Sequence, residues 1–484
     1  MKIKYLILIT IITLFLISCS EDNNKGNISG RVILEGQRDY SDIYVAAYTL
    51  AELNSDIKGI NEEYPGIGVQ INQKTQFDHR LQSPIKYTQT DANGNYKLKD
   101  LPTDTYNIVA YKDSFGFKYV YSYHVSGGDN SLQDITLYPE TYINSSIDDD
   151  ITFMTDHHYI IQDNIYQING YNLTIEPGAV IRIKAGESLK IMGDLRMQGN
   201  SEEWIRITTN YGYNNFPSSL SEDSLDYYNK FSLEQTCNVE DNQINWILAN
   251  FGFTTLQSSV NNLSINKCVT RFSNNGIFCN NNSSSFVSNC LSYNIKSDEG
   301  GIYFHGVEDG EIKENILYEC THGIKTQERF DGELYNNYIM NNDYGVRVLG
   351  FAGNLRNNEM VGNYIDIFFA GNSDNNETGI LNIYKNNLHS NKAVLQFPVS
   401  GFSEGPVITM NYNNLYGNDI FFRYRSSQMI GYDDIDLKHN YFNGIDNETG
   451  IREKIYDMAG DYYVDVDISN FQLNDINSAG IDID

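Results

Sequence analysis

The densest group of side chains that could perform acid–base or anion chemistry lies between Asp298 and Arg347. Three members, Asp309, His322 and Arg347, are the candidate catalytic residues, because an acid, a base and a cation are what bond cleavage in a sugar polymer uses. Two carboxyl groups roughly 6.5–9.5 Å apart would suit an inverting glycoside hydrolase. The full group consists of Asp298, Glu299, His305, Glu308, Asp309, Glu311, His322, Lys325, Glu328, Arg329, Asp331 and Arg347.

The element that must position these side chains is a repeat built around asparagine. Successive copies start 21 to 29 residues apart, and each carries short apolar alternations without a helical stretch. This period and texture are typical of a solenoid, in which short strands of successive coils stack about 4.8 Å apart. Asparagine suits tight corners and can stack in ladders, which indicates a structural role. The copies start at Asn289, Asn315, Asn337, Asn358, Asn387, Asn414 and Asn440.

The segment LTIEPGAVI, residues 173–181, resembles the opening coil of right-handed parallel β-helix proteins of the pectate-lyase-like superfamily, and HNYFNG, residues 439–444, resembles an element of their final coil. The resemblance implies a β-helix over residues 139–470, with a polar insertion at 211–243 and a tail at 471–484. Lyases of this fold use Arg or Lys as the base, often with carboxylate-bound Ca²⁺. HGIKT, residues 322–326, echoes polygalacturonase-like hydrolases, but their NTD and paired-Asp motifs are absent.

Residues 27–138 are predicted to form a small β-sandwich. The segment TDANGNYKLKDLPTDTYNIVAY, starting at Thr90, resembles the carboxypeptidase regulatory-like, or prealbumin-type, domain. Asn93-Gly94 supplies a turn and Leu101-Pro102 the crossing between two strands. Such domains act as spacers. The polar stretch from Ala51 to Gln82 is predicted to be an irregular excursion. The predicted fold class is therefore all-β, a prealbumin-like sandwich followed by a right-handed parallel β-helix.

The first residues form a targeting segment. Lys2 and Lys4 precede an apolar stretch that is too short to span a bilayer and ends at Cys19. Leu16-Ile17-Ser18-Cys19 resembles the bacterial lipobox, which implies a signal peptide over 1–18, lipid attachment at Cys19 and a tether over 19–26. The acidic residues that follow resemble the tether of surface-exported lipoproteins. The expected location is the outer membrane, lipid-anchored and facing the cell surface.

Charge and cysteine usage restrict the partners. A formal net charge of −29 excludes nucleic acid and disfavours large polyanions unless a local basic groove exists. No cofactor is expected, and Ca²⁺ has no motif to support it in the acidic segments 146–151 and 432–436. Without a CxxC pair, a structural zinc site is not expected. Cys268 and Cys290 are 22 residues apart, which allows either a disulfide or two stacked thiols.

The leading hypothesis is a cell-envelope lipoprotein whose β-helix binds a glycan or a protein, with no evident catalytic constellation. One alternative is a polysaccharide lyase or glycoside hydrolase on the same wall. The other is a structural or adhesive surface protein. Outward members of the aromatic pairs Tyr303-Phe304 and Phe368-Phe369, and of the segment 421–424, could form a platform for sugars.

Overall fold

The computed structural model describes residues 24–213, 219–221, 226–328, 330–349, 352–369, 380–389, 391–397, 407–423, 435–456, 458–459, 462–463 and 466–482. They divide into two compact units. The first contains the described residues up to Glu52, together with those of Gln76–Glu140 and Gly212–Ser221. The second contains Leu53–Thr75 and the described residues of Thr141–Tyr211 and Glu222–Asp484. Cys19 lies outside the described residues.

The first unit is a β-sandwich of two four-stranded sheets. Alternating apolar residues such as Ile28, Val45, Leu98 and Ile108 point into one buried core between the sheets. Gly94 forms the predicted turn at a φ of +84°, with its amide bonded to the Asp91 carbonyl. One sheet contains Lys25–Leu34, Asn95–Pro102, Gly128–Ser131 and Ile135–Leu137, and the other contains Tyr44–Thr49, Lys86–Gln89, Asp104–Lys112 and Gly116–Val125; a 3₁₀ turn spans His79–Leu81.

The second unit is a parallel β-solenoid of about ten turns, so the predicted fold class is confirmed. Three walls of stacked strands, here called walls A, B and C, enclose a continuous apolar core. Wall A contains Thr141–Ile143, His158–Ile161, Val180–Ile183, Ile205–Thr209, Ile247–Asn250, the first parts of Val269–Asn280 and Leu291–His305, Ile316–Tyr318, Tyr338–Met340, Glu359–Val361, Asn387–His389, Asn414–Tyr416 and Tyr441–Phe442.

The other two walls follow the same parallel register. Wall B contains Ile165–Gln167, Ser188–Ile191, Tyr228–Leu233, Gly252–Ser258, the second parts of Val269–Asn280 and Leu291–His305, His322–Gln327, Tyr344–Leu349, Ile365–Phe369, Ala393–Gln396, Phe422–Arg423 and Ile455–Tyr456. Wall C contains Ile151–Phe153, Asn172–Ile175, Asp194–Met197, Asn238–Val239, Gln243–Asn245, Leu263–Asn266, Ser284–Ser288, Asp309–Lys313, Asp331–Tyr335, Ala352–Arg356, Ile380–Tyr384, Val407–Asn411, Ile435–Asp436 and Val466–Asp467.

Short elements accompany the walls of this unit. A 3₁₀ turn lies at Glu240–Asn242, and a short helix spans Glu448–Arg452. Ile455 then lies in a wall B strand and pairs with Phe422. A small antiparallel pair joins Met458–Ala459 to Tyr462–Tyr463.

The corner between walls C and A contains an asparagine ladder. Asn315, Asn337 and Asn358 are buried, and each side-chain amide donates to the Oδ1 of the next asparagine at 2.9–3.0 Å. The ladder then continues through Asn386, Asn413 and Asn440, not through Asn387 and Asn414. The predicted structural role is right, but three of the predicted positions, Asn289, Asn387 and Asn414, are wrong by one residue. Asn342, Asn363, Asn391 and Asn418 form a second ladder at another corner.

Cysteines occupy the same corner position in earlier coils. Cys290 takes the place that the repeat assigned to Asn289, and its amide donates to Asn315 Oδ1 at 2.8 Å. Cys268 stacks beneath it, with its amide 3.4 Å from Cys290 Sγ. Both thiols are free and buried. Asn289 instead has a φ of +51°, the left-handed conformation that closes the corner.

The sequence predicted that residues 53–75 form an irregular excursion within a sandwich over 27–138. In the structure they contain helices and belong to the second unit. A helix, Ser55–Glu63, begins after Asn54, whose side chain accepts from the amides of Asp56 and Ile57. A second short helix spans Gln73–Gln76. Ile57, Ile60, Ile67 and Val69 pack against outward residues of wall A such as Leu248 and Ile316. Burial of this apolar stripe explains why the segment groups with the solenoid.

The predicted insertion at 211–243 and the predicted tail at 471–484 also differ from what the structure shows. The proposed insertion at 211–243 contains Tyr228–Leu233, a wall B strand paired with Ser188–Ile191, and Asn238–Val239, a wall C strand. The tail returns along the solenoid instead of leaving it. Its carbonyl groups accept from Asn414 at Ile476 and from Asn357 at Gly480.

Candidate functional site

The structure separates the three candidate catalytic residues. His322 and Arg347 lie in adjacent strands of wall B. Asp309 is exposed at the start of a wall C strand, between Ser284 and Asp331 of the neighbouring coils. Arg329 lies outside the described residues. The predicted group from Asp298 to Arg347 is therefore split between two walls: His322, Lys325 and Arg347 meet on wall B, whereas Asp309 and Asp331 align on wall C.

These members belong to one outward row of wall B, here called the wall B row. Parallel register aligns Phe278 with Tyr303, Tyr303 with Lys325, and Lys325 with Arg347. Side chains in such a row are about 4.8 Å apart, so each contacts its neighbours directly. In order, the row contains Lys190, Ser232, Gln257, Phe278, Tyr303, Lys325, Arg347, Phe368, Gln396 and Arg423.

Aromatic rings flank the two cations at the centre of the row. The rings of Phe278 and Tyr303 are stacked, with centroids 4.8 Å apart and planes inclined by 7°. Lys325 Nζ lies 4.5 Å from the Tyr303 ring centroid and donates to the Asp298 carbonyl at 2.9 Å. On the other side, the Arg347 guanidinium carbon lies 5.9 Å from the Phe368 ring. Both contacts are of the cation–π type.

His322 extends this cluster towards the corner. Its ring stacks on Tyr344 at 5.0 Å, and its Nε2 lies 3.0 Å from Arg347 Nη1. Burial, with the positive charges of Arg347 and Lys325, lowers the pKa of His322 to about 4. Burial and Arg347 also lower the pKa of Lys325. The site is thus an electropositive patch with a neutral imidazole at pH 7.

The arrangement is suited to binding an anion between aromatic surfaces. Within the described residues, no carboxylate hydrogen-bonds to His322, Lys325 or Arg347, although Asp298 and Glu299 lie near enough to affect the pKa of Lys325. The described residues also contain no group of three or more His, Cys, Asp or Glu side chains that could hold a metal ion. A converging pair of carboxylates, as an inverting hydrolase requires, is not formed by the wall B members.

The two acidic segments considered for Ca²⁺, 146–151 and 432–436, give no metal site among their described residues. In the acidic segment 146–151, Asp150 accepts from the backbone and side-chain amides of Asn172, which lowers its pKa. Of the segment 432–436, only Ile435 and Asp436 are described, in a wall C strand. In the described part of the chain, no helix has the length and apolar character needed to cross a bilayer.

The fold and the wall B row define the class of this protein as a parallel β-solenoid with an electropositive, aromatic-lined wall. Comparison with protein-family models gives no match, and neither does comparison with curated proteins. Among solved structures, the chain is similar to the family 28 exopolygalacturonase of Yersinia enterocolitica, at 10% identity and a TM-score of 0.27. The match covers 91% of this chain and 96% of that one. The low TM-score adds no evidence about activity.

Proposed function

We propose that this protein is a lipid-anchored cell-envelope protein that binds an acidic glycan on the wall B row. The observation that carries the proposal is the pairing of Lys325 with Arg347 in adjacent strands, without a carboxylate hydrogen-bonded to either among the described residues. Two adjacent cations repel each other, and an anion bound between them would relieve that repulsion. In a chain with a net charge of −29, two adjacent cations in one row are a local concentration of positive charge.

The aromatic neighbours suggest that the anion belongs to a sugar. A pyranose ring has an apolar face that packs on aromatic rings, while its acidic group would reach the cations. Phe278 provides a half-buried ring on one side and Phe368 one on the other, while the buried Tyr303 supports Phe278 and Lys325 from beneath. The net charge of −29 disfavours polyanions unless a basic groove exists, and Lys325 with Arg347 meets that condition locally.

The anchor rests on the lipobox-like sequence that ends at Cys19. A single acyl chain gives only reversible binding, whereas several chains on one cysteine support stable attachment. Cys19→Ala is expected to abolish lipid labelling and to release the protein from the membrane fraction. Unchanged processing and membrane association would exclude this part of the proposal.

Binding is tested with purified residues 20–484 against acidic and neutral polysaccharides. Arg347→Gln and Lys325→Gln are each expected to weaken binding of the acidic polymer at least about tenfold, equivalent to 1.4 kcal/mol. Lys190→Gln is the matched control, since Lys190 lies five coils earlier in the same row and also over a tyrosine, Tyr166. Binding of no polysaccharide, or equal losses in all three variants, would contradict the proposal.

A polysaccharide lyase is the second candidate. It is favoured by the lowered pKa of Lys325, because a lysine that loses its proton more easily can act as a base. The same polymers are therefore incubated with the protein and examined for unsaturated products. Product release that Lys325→Gln abolishes while binding persists would favour the lyase. Binding without product would favour the non-enzymatic function.

A further inference from the structure

We propose that a cavity between residues 65–74 and the outer face of the solenoid is a saccharide-binding pocket, separate from the wall B row. It has a volume of about 460 Å³, within the range of small-molecule sites. All of its lining residues belong to the second unit. They include both tryptophans of the chain, Trp204 and Trp246, with Lys267, Asn289, Gln70 and Asn72.

The two indole rings form one wall of the cavity. They meet edge to face, with centroids 5.2 Å apart and planes at 89°. Trp204 is 5% exposed, and its ring belongs to the apolar cluster under residues 53–75. Trp246 is half-buried, so part of its surface remains accessible to a ligand. Lys267 Nζ lies 4.8 Å from the Trp246 ring.

The left-handed corners at the cavity carry two residues larger than asparagine, as later coils do at Tyr412 and His439. Trp246, Lys267 and Asn289 occupy equivalent corners of three coils, with φ values of +54°, +52° and +51°. Asparagine tolerates this left-handed conformation, whereas a bulky side chain adopts it at some cost. A tryptophan and a lysine at these two corners therefore contribute side-chain chemistry to the cavity that asparagine would not provide.

The opposite side of the cavity is held firmly in place. The Gly68 amide donates to the Glu314 carbonyl at 2.7 Å, and Arg206 donates to the Lys74 carbonyl at 2.6 Å. Lys74 is also paired with Glu202. A pocket whose two sides are fixed before binding loses less conformational entropy when a ligand enters.

The chemistry of the lining matches a pyranose residue. A pyranose has an apolar C–H face for the indole surface and a rim of hydroxyl groups. The side chains of Gln70, Asn72 and Asn289 offer amide donors and acceptors to that rim, and Lys267 offers a cation. Each amide already has a partner in the protein, Gln70 at the Pro65 carbonyl, Asn72 at the Lys74 amide and Asn289 at Glu314, so a sugar would use the donors and acceptors that remain.

Intrinsic fluorescence tests this pocket selectively, because Trp204 and Trp246 are the only tryptophans in the protein. Residues 20–484 are titrated with galactose, mannose, N-acetylglucosamine and galacturonic acid, each to about 10 mM, a concentration that detects weak single-site binding. We expect a saturable change in emission with at least one of them. No saturable change with any of the four sugars would overturn the proposal.

Variants separate the pocket from the wall B row. Lys267→Met and Asn289→Ala retain both indoles, and each is expected to weaken the fluorescence-detected Kd at least about tenfold. Arg347→Gln is expected to leave that Kd unchanged while it weakens acidic-polymer binding. An emission change that survives both pocket variants, or that Arg347→Gln abolishes, would contradict a separate site. Thermal unfolding checks that each variant is folded.

Discussion

Arg347 donates a hydrogen bond to Nε2 of His322 across 3.0 Å, although 25 residues separate the two in sequence. An arginine side chain stays protonated in proteins and has no acceptor. The imidazole must therefore accept at Nε2 and is neutral, with its proton at Nδ1. Lys325, which aligns with Arg347, adds a second nearby cation that disfavours protonation of the ring.

The neutral state of His322 predicts a dependence of stability on pH. Its pKa falls from the usual 6.5 to about 4 on folding, so the unfolded chain binds the proton more readily between these values. Stability is then lost as pH falls from about 6.5 to about 4, by at most about 3 kcal/mol. His322→Gln is expected to flatten this part of the profile in urea unfolding. Parallel profiles for the two proteins would exclude the assignment.

The buried carboxyl group of Asp366 is expected to give stability the opposite dependence on pH. This carboxyl group is buried, accepts from the Asn363 amide at 3.0 Å, and has a pKa raised well above its ordinary value by burial. Folding therefore favours the protonated acid, and stability declines as pH rises above about 4. Asp366→Asn keeps the shape without the acid and is expected to raise the thermal midpoint at pH 7. Asp366→Ala is a control that also loses the hydrogen bond.

The register of the asparagine ladder can be tested with adjacent residues. Asn386 donates to Leu355, Tyr384 and Asn413 and accepts from Asn358, all in buried surroundings. Asn386→Ala is expected to cost at least about 3 kcal/mol, because several buried partners lose their bonds. Asn387→Ala is expected to cost about 1 kcal/mol or less, since within the described part of the chain that side chain bonds only Glu359 and Asn414. Equal losses in urea unfolding would contradict the register.

The packing of residues 53–75 against wall A can be tested by substitution at Gly68. Its φ is +62°, and a Cβ atom there would lie 2.7 Å from the side chain of Ile316. Gly68→Ala is expected to loosen the segment and increase its amide hydrogen exchange, without unfolding the solenoid. Gly66→Ala is the matched control, because a Cβ at that position meets nothing within 4 Å. Similar exchange in the two variants would argue against close packing at Gly68.

The free thiols can be counted by their reaction with a thiol reagent. Burial raises the pKa of Cys279 and Cys320 to about 12 and also raises that of Cys290. All five cysteines of residues 20–484 are also buried, so they are expected to resist a thiol reagent in the native protein. All five should react after denaturation. If only three cysteines react after denaturation, the other two form a disulfide, and Cys268 and Cys290 are the first pair to examine.

The fold class and the corner chemistry follow from local residue types. Repeated apolar alternation, Pro177-Gly178 at a corner and recurring asparagines predict stacked coils, because short strands with polar corners bury apolar side chains only by stacking. They also placed His322, Lys325 and Arg347 in one group of candidates. Local residue types were sufficient for these conclusions.

Which residues share a wall depends on how the coils stack in three dimensions. Coil lengths vary, so sequence spacing does not set the register, and a shift of one residue turns a strand side chain to the opposite face. Asn386 therefore replaces Asn387 in the ladder, and Asp309 is on wall C while His322 and Arg347 meet on wall B. Trp204 and Trp246 come together for the same reason, since stacking of successive coils brings distant parts of the chain into contact.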